Sequence, residues 1–284
     1  DVVLLLDSSS SMGNDVYALQ NAAKNFANKV LNGEGVSENN RVAVVVFDDD
    51  NRDEGQYVQS FTDNYNTVSR AIGRCDASGD TDQGEALTLA KDLIDTSGNP
   101  NAKTVVVLFT DGAPAPRNSN LSYEYSVKAK KAADVLKAED IELYCVYWDP
   151  GNVGSATVPR DYVTQQGIYS YDTVFGYRLT RRNSSYYISD GRDFVINNVL
   201  PSLATDADHV FSGRRGAEDE LEQIFDGILG EILAYATDLT IHDEIQTENF
   251  TFNAAAGSGA VQYKYEKETE WKNVSADANA DVHY

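Results

Sequence analysis

Short apolar runs alternate with amphipathic segments along most of the chain. Buried strands typically show β-branched runs, whereas apolar residues spaced three and four apart predict helices. The pattern predicts strands at 2–6, 41–47, 56–61, 103–110, 141–148 and 209–212. It predicts helices at 16–30, 63–74, 84–96, 122–138, 192–205 and 218–235. This alternation favours an α/β fold with a doubly wound, mostly parallel sheet, helices on both faces and an antiparallel edge at 56–61.

The pattern changes at about residue 237. From 236 onward, apolar and polar residues alternate in short stretches at 236–241, 249–252 and 261–265, as in half-exposed strands. We therefore expect one domain over residues 1–236 and a short β-rich segment over 237–284. This segment is short for an independent β-sandwich, which usually needs about 100 residues. We expect it to form part of an Ig-like or β-sandwich module.

Oxygen-bearing side chains follow two of the predicted strands. The first strand ends in Asp7, and Ser9 and Ser11 follow at alternating positions. Ligands of open α/β sheets bind beyond the carboxyl ends of strands, and hard cations such as Mg²⁺ prefer oxygen ligands. On this stretch alone, two interpretations stay open: a metal site, or a serine-rich turn that caps the next helix. Asp111 likewise ends the strand at 103–110, and a tight polar loop at 79–87 opens a helix between the two.

Together these segments resemble the von Willebrand factor A (vWA) family and its metal-ion-dependent adhesion site. The family pattern is D-x-S-x-S, then a threonine in a loop that opens a helix, then T-D-G after a strand. The resemblance covers roughly residues 1–236. It implies that a divalent cation, Mg²⁺ with Mn²⁺ or Ca²⁺ as alternatives, is bound by five residues: Asp7, Ser9, Ser11, Thr81 and Asp111.

The resemblance is strongest to vWA modules of surface adhesins and pilus-tip proteins of Gram-positive bacteria. It implies an extracellular, cell-wall-anchored protein whose cation binds an acidic side chain of a host or matrix protein, or an anionic glycan. The alternative is an intracellular vWA subunit that docks onto an ATPase or chelatase machine. We do not expect an enzyme, because no histidine or lysine is placed to activate a serine, and no G-x-S-x-G elbow occurs.

Net charge and composition argue against two classes of partner, nucleic acid and the membrane interior. The formal net charge of −22 argues against nucleic acid, because phosphate binding needs a basic surface. No apolar run reaches transmembrane length, so we expect no membrane insertion in this segment. The chain opens directly in a core strand, and we expect it to be a piece of a longer protein. Its two cysteines, Cys75 and Cys145, are expected to be unpaired and packed as small apolar groups.

An aromatic insertion at about 149–190 interrupts the vWA-like pattern. It leaves the carboxyl end of a strand, so we expect it on the same face as the metal site. Its four arginines balance its four aspartates. Because aromatic residues and arginine are enriched at binding hot spots, the following are candidates for ligand recognition: Tyr169, Tyr171, Tyr177, Arg178, Arg181 and Arg182. The alternative is that the tyrosines form the insertion's own small core.

Two further hypotheses concern other parts of the chain. The acidic turn at 48–54 offers calcium ligands, but its irregular spacing favours a solvated hairpin tip. In related adhesion domains, the helix that corresponds to 218–235 shifts along its axis when the metal site takes a ligand. The alternative here is a helix that its apolar stripe holds in one position.

Overall fold

A computed structural model of the chain shows two compact units, Asp1–Thr237 and Asp238–Tyr284. The residues that the structure describes are 1–33, 36–37, 39–48, 57–112, 122–149, 155–165, 167, 171–182, 185–237, 250–252, 262–265 and 272–273. Among the described helices, none combines the length and apolar character needed to cross a membrane.

The first unit is built on a six-stranded sheet. Its strands are β1 (Val2–Asp7), β2 (Val42–Phe47), β3 (Tyr57–Thr62), β4 (Val105–Thr110), β5 (Glu142–Asp149) and β9 (Val210–Arg214), and they lie in the order β3-β2-β1-β4-β5-β9. All neighbouring pairs are parallel except β2 and β3, which makes β3 the predicted antiparallel edge. The helices are α1 (Asp15–Asn32), α2 (Tyr65–Ile72), α3 (Gln83–Ser97), α4 (Ser122–Lys137), α5 (Arg160–Gln165), α6 (Gly191–Phe194), α7 (Leu200–Leu203) and α8 (Glu218–Thr237).

Apolar side chains on both faces of each central strand explain why the sheet is sandwiched between helices. In β1, Val3 and Leu5 join the core under α3, α4 and α7. Val2, Leu4 and Leu6 point to the other face and join the core under α1, α2 and α8. Strands buried on both faces read as continuous apolar runs, which is the pattern seen in parallel sheets. The predicted doubly wound α/β fold with helices on both faces is confirmed.

The segment predicted as one helix at 192–205 has a more complex form. It runs from α6 through a π-helical stretch at Val195–Val199 into α7. Pro201 lies at the start of α7, where its missing N–H is tolerated. Single π-turns of this kind are not encoded by a 3.6-residue apolar period, so the sequence pattern predicts only an ordinary helix.

The insertion after β5 forms a small antiparallel sheet of its own. Its strands are β6 (Ala156–Val158), β7 (Thr180–Arg182) and β8 (Ser185–Ile188), in the order β6-β8-β7. Aromatic rings join it to the rest of the first unit: Tyr123, in the first turn of α4, contacts Tyr162 and Phe175 with ring centroids 5.3 and 5.7 Å apart. Phe175 in turn packs edge-on against Phe194 at 5.4 Å. The described part of the insertion is therefore continuous with the main core.

A buried carboxylate holds this aromatic cluster together. Asp172 accepts a hydrogen bond from the Tyr123 hydroxyl at 2.5 Å. It also accepts the backbone N–H groups of Val174 and Phe175 at 3.1 and 2.9 Å. Asp172 and Tyr123 are both fully buried, so each polar group depends on the other for its partner.

The two cysteines are free and buried, as predicted. Cys75 lies after α2, and its Sγ donates to the backbone oxygen of Asp7 at 3.3 Å. Cys145 lies within β5 and joins the core on the α3 and α4 face. Burial raises the pKa of both thiols to about 12, which keeps them protonated at neutral pH.

The second unit contains a three-stranded antiparallel sheet, β10-β11-β12, formed by Phe250–Phe252, Gln262–Tyr265 and Lys272–Asn273. Phe250 pairs with Tyr265, and Tyr263 pairs with Lys272. These strands agree with the β character of the segment, and its membership in a larger sandwich module stays a prediction.

The Tyr123–Asp172 contact predicts a stability effect. Tyr123→Phe removes the hydroxyl donor but leaves the buried carboxylate, so we expect the free energy of unfolding to fall by about 1.5–3 kcal/mol, the range for hydrogen bonds to charged groups. Chemical denaturation of both proteins measures the difference. Tyr17→Phe serves as the matched control, because Tyr17 is 66% exposed and should change little. Equal stability of Tyr123→Phe and the parent protein would show that the hydroxyl does not anchor the insertion.

Candidate metal-binding site

The predicted site residues meet where the direction of the sheet connections changes. From β1 the chain passes to β2 and β3 on one side, and it then crosses to β4 on the other side of β1. The carboxyl ends of β1 and β4 are the point in an open α/β sheet where a ligand crevice forms. Asp7 ends β1 and Asp111 directly follows β4, and both side chains are fully buried.

A chain of hydrogen bonds connects four of the five predicted residues. The backbone N–H of Ser9 donates to Asp7 Oδ1 at 2.8 Å, which tightens the turn after β1. The hydroxyls of Ser9 and Ser11 lie 2.9 Å apart, and the Ser11 hydroxyl donates to Asp111 Oδ1 at 2.8 Å. Two carboxylates and two hydroxyls thus share one small region at the ends of adjacent strands.

Thr81, the fifth predicted residue, lies in a loop that is joined to the same region. The Ser10 N–H donates to the Gly79 carbonyl at 3.0 Å, which links the loop to the turn after β1. Gly79 has a φ of +80°, and a Cβ there would lie 2.7 Å from Asp48 Oδ2, so only glycine fits. Thr81 is buried, and Asp82 after it caps α3 by accepting the Glu85 N–H at 2.9 Å.

Two residues behind the site orient Asp7. The Thr110 hydroxyl donates to Asp7 Oδ2 at 2.7 Å. The Gln83 amide donates to Thr110 Oγ1 and to the Gly112 carbonyl, both at 2.9 Å. Both side chains are fully buried. Gln83 at the start of α3 therefore holds Thr110 in place, and Thr110 in turn holds the Asp7 carboxylate. The pattern T-D-G identifies Thr110, but no local sequence signal points to Gln83.

Burial of two neighbouring carboxylates dominates the electrostatics. Burial raises the pKa of Asp7, although hydrogen bonds from Ser9 and Thr110 oppose the shift. Burial and the neighbouring charge of Asp7 raise the pKa of Asp111 to about 7. Each ionised carboxylate therefore makes ionisation of the other harder, and a cation between them would favour the charged form of both.

Arg215 also contacts the site, and the sequence pattern does not predict it. It lies between β9 and α8, and its guanidinium donates to Ser11 O at 2.8 Å and to Asp111 Oδ2 at 3.3 Å. It also forms an ion pair with Asp15 in the first turn of α1. Arg215 is 204 positions from Ser11 in the sequence, so only the fold brings the two together.

The insertion leaves the sheet beside this site. Asp149 ends β5, and its carboxylate pairs with Arg192 at 2.5 Å. Tyr147 lies two residues earlier. Burial raises the pKa of its hydroxyl, and the negative charges of Asp149 and Asp111 raise it further. Tyr147 is also the β5 partner of Thr110, which directly precedes Asp111, so the root of the insertion lies close to Asp111.

The candidate recognition residues differ in their surroundings. Tyr171 is 56% exposed and forms a backbone bridge with Arg178, which is also exposed. Arg181 and Arg182 lie on the exposed edge strand β7. Tyr177 instead packs against Phe194, with ring centroids 5.4 Å apart. Tyr169 lies outside the described residues, as does the acidic turn apart from Asp48, and the recognition role of all six residues stays a prediction.

The fold and this arrangement define a class: a Rossmann-like α/β domain with carboxylate and hydroxyl oxygens at its switch point. A sequence model of the von Willebrand factor type A domain matches residues 1–158, which is more than half of the chain. The chain therefore belongs to the von Willebrand factor type A domain family, as predicted. Domains of this family typically bind a divalent metal at the metal-ion-dependent adhesion site.

Solved structures with the same fold include domains of pilus proteins. The vWF domain of the type V pili tip protein Mfa5 from Porphyromonas gingivalis superposes with a TM-score of 0.57 at 15% identity, covering 83% of this chain and 95% of that one. The pilus adhesin SpaC from Lactobacillus rhamnosus GG, in an open conformation, gives 0.58 at 16% identity, covering 83% of this chain and 30% of that one. Proximal thread matrix protein 1 from the mussel byssus gives 0.50 at 16% identity, with coverages of 81% and 46%. At these identities the likeness shows the fold alone. A search of curated proteins finds no sequence match.

The raised pKa of Asp111 predicts how stability depends on pH when chelator is present. Its pKa in the folded protein lies above the ordinary value of 3.8, so folding favours the protonated form. The resulting stabilisation is complete below pH 4 and is lost as the pH rises to about 7, with a slope of at most about 1.4 kcal/mol per pH unit for one proton. Asp111→Asn should reduce this slope and leave the part that comes from the raised pKa of Asp7, and denaturation at several pH values in chelator measures the difference.

The matched control for this series is Asp226→Asn, which changes the same charge on a half-exposed side chain of α8. Its pH dependence should follow that of the parent protein. If Asp111→Asn retains the full slope between pH 4 and pH 7, another group is responsible for it.

Proposed function

We propose that this domain is a cation-dependent adhesion module on a cell surface. The divalent cation would be held by five side chains, Asp7, Ser9, Ser11, Thr81 and Asp111. The observation that carries the proposal is the burial of two like-charged carboxylates at adjacent strand ends, joined through serine hydroxyls. Such a pair is costly to bury unless a positive charge compensates it.

The donor set fits a hard cation such as Mg²⁺ better than a softer one. All five side chains offer oxygen, the ligand that Mg²⁺, Mn²⁺ and Ca²⁺ prefer. Within the described ranges, no group of three or more histidine, cysteine, aspartate or glutamate side chains is arranged to hold a metal ion, so the hydroxyls are part of the proposed set. The turn that presents Ser9 and Ser11 is fixed by Asp7 itself, which supports a preformed site.

The charge balance of the site favours an anionic ligand. Two carboxylates neutralise a divalent cation, and neutral hydroxyls complete the protein's share of the ligands. A bound cation would supply a coordination position that an incoming carboxylate oxygen can fill. We therefore propose an acidic side chain of a partner protein, or an anionic glycan, as the ligand class.

The pilus proteins among the structural neighbours support a surface role, since their names describe a pili tip protein and a pilus adhesin. The match covers only 30% of the SpaC chain, so most of that protein has no counterpart in this chain. We propose extracellular exposure for this domain on the basis of the acidic composition of the chain and these structural neighbours. The same arrangement of hydroxyls and carboxylates would serve binding rather than catalysis.

The metal proposal predicts the result of a titration. Isothermal calorimetry of chelator-treated protein with Mn²⁺ should show one binding event per chain. Asp7→Asn removes a charge but keeps the side-chain volume, so it should weaken binding by at least about 100-fold, because one of the two compensating charges is lost.

Asp226→Asn is the control for net charge in this titration as well, and it should bind Mn²⁺ like the parent protein. Unchanged Mn²⁺ affinity in Asp7→Asn would disprove the assignment of this site.

The insertion provides a separate prediction about recognition. A screen of protein and glycan arrays, with Mg²⁺ or with chelator, identifies ligands whose binding needs the cation. Replacing Arg181 and Arg182 together by serine should reduce that binding at least about tenfold, because exposed arginines on an edge strand are available to an anionic ligand. Deleting the insertion would be a poorer test, since Phe175 is part of the main core.

Arg160→Ser is the matched control, because Arg160 is exposed on α5 of the same insertion. Both variants should keep the Mn²⁺ affinity of the parent protein. Full ligand binding by the double variant would mean that β7 takes no part in recognition.

A further inference from the structure

Arg215 is a basic side chain that reaches Asp111 of the candidate site. Its guanidinium donates to Asp111 Oδ2 and to the backbone oxygen of Ser11, and its Nε pairs with Asp15. Asp111 is fully buried, whereas the Arg215 side chain is 39% exposed. The partly exposed Arg215 side chain therefore lies between the buried Asp111 carboxylate and the solvent.

The backbone around Arg215 holds it in this place. The Arg215 N–H donates to the Asp149 carbonyl at 3.4 Å, and the Ala217 N–H donates to Arg214 O at 3.1 Å. Gly216 has a φ of +84°, a left-handed conformation that glycine adopts without strain, and it turns the chain from β9 into α8. The arginine is thus presented to the site by a tight, hydrogen-bonded turn.

A divalent cation and this guanidinium would compete for the same carboxylate. Asp111 and Asp7 together carry two negative charges, which a divalent cation neutralises. The bound cation offsets the attraction that Asp111 exerts on the guanidinium, so the net attraction of Arg215 to the site falls. Asp15, which already binds Arg215 through Nε, remains as its counter-charge.

We propose that Arg215 is a built-in competitor that lowers the cation affinity of this site, and that cation binding shifts its pairing from Asp111 to Asp15 alone. This inference rests on the proposed cation site. Its consequence is that the turn between β9 and α8 is tied most firmly when the site holds no cation, and that this tie loosens when a cation binds.

The first test compares Mn²⁺ affinities by calorimetry. Arg215→Gln removes the competing charge, so Mn²⁺ should bind about five- to tenfold more tightly, as expected for loss of a like charge near a partly screened site. Arg214→Gln is the matched control: it makes the same change in net charge one residue earlier, on an exposed side chain of β9. Its effect should be less than about twofold.

The second test follows the turn itself. Amide hydrogen exchange at residues 214–217 should be faster with Mn²⁺ than with chelator in the parent protein. In Arg215→Gln, exchange in chelator should already match the Mn²⁺-loaded rate. This measurement needs no ligand, and it separates release of the turn from a general effect of charge.

The outcomes distinguish the two proposals. If Asp7→Asn abolishes Mn²⁺ binding but Arg215→Gln binds no more tightly than Arg214→Gln, the competitor role is wrong and the cation site stands. The competitor role is equally wrong if exchange at 214–217 is the same with Mn²⁺ and with chelator. If Asp7→Asn binds Mn²⁺ as the parent protein does, the cation site itself is wrong, and the role of Arg215 is overturned with it.

Discussion

Asp7 ends β1 and Asp111 directly follows the neighbouring parallel strand β4, and both carboxylates are buried. Two like charges in such a place repel each other and lose their hydration, so the protein must supply donors around them. It does so with the Ser9 backbone, the Thr110 hydroxyl and the Ser11 hydroxyl. The loops at the carboxyl edge of the sheet are arranged by this requirement.

The same requirement explains how distant parts of the chain become connected. Gln83 fixes Thr110 from the start of α3, and Arg215 reaches Asp111 from the turn before α8. A similar contact holds the insertion to the rest of the domain. There, the buried Asp172 carboxylate accepts a hydrogen bond from the Tyr123 hydroxyl. In both cases a buried carboxylate gathers donors from elements that are far apart in sequence, and it thereby fixes their relative positions.

The sequence predicts the sheet and most helices because their information is local. A continuous apolar run such as Val2–Leu6 has to lie between two layers, and the D-x-S-x-S and T-D-G motifs follow such runs directly. Gln83 and Arg215 are different, since an amide or a guanidinium gains its role only from partners 27 and 104 positions away. The π-helical stretch at Val195–Val199 and the small sheet of the insertion escape prediction for the same reason: packing determines them, and a local period does not.

Gly213 has no side chain, and the indole of Trp148 occupies the space beside it, which bears on the fluorescence of the domain. A Cβ at Gly213 would lie 2.6 Å from the six-membered ring of Trp148 and 3.2 Å from Ile224 of α8, so the indole lies directly on the β9 backbone. Trp148 is almost fully buried and is one of only two tryptophans in the chain. Its emission depends on the polarity around the ring, and that ring lies against Gly213, two residues before Arg215, within the apolar core that α8 also joins. The domain therefore contains an intrinsic fluorophore at the junction between its last strand and its last helix.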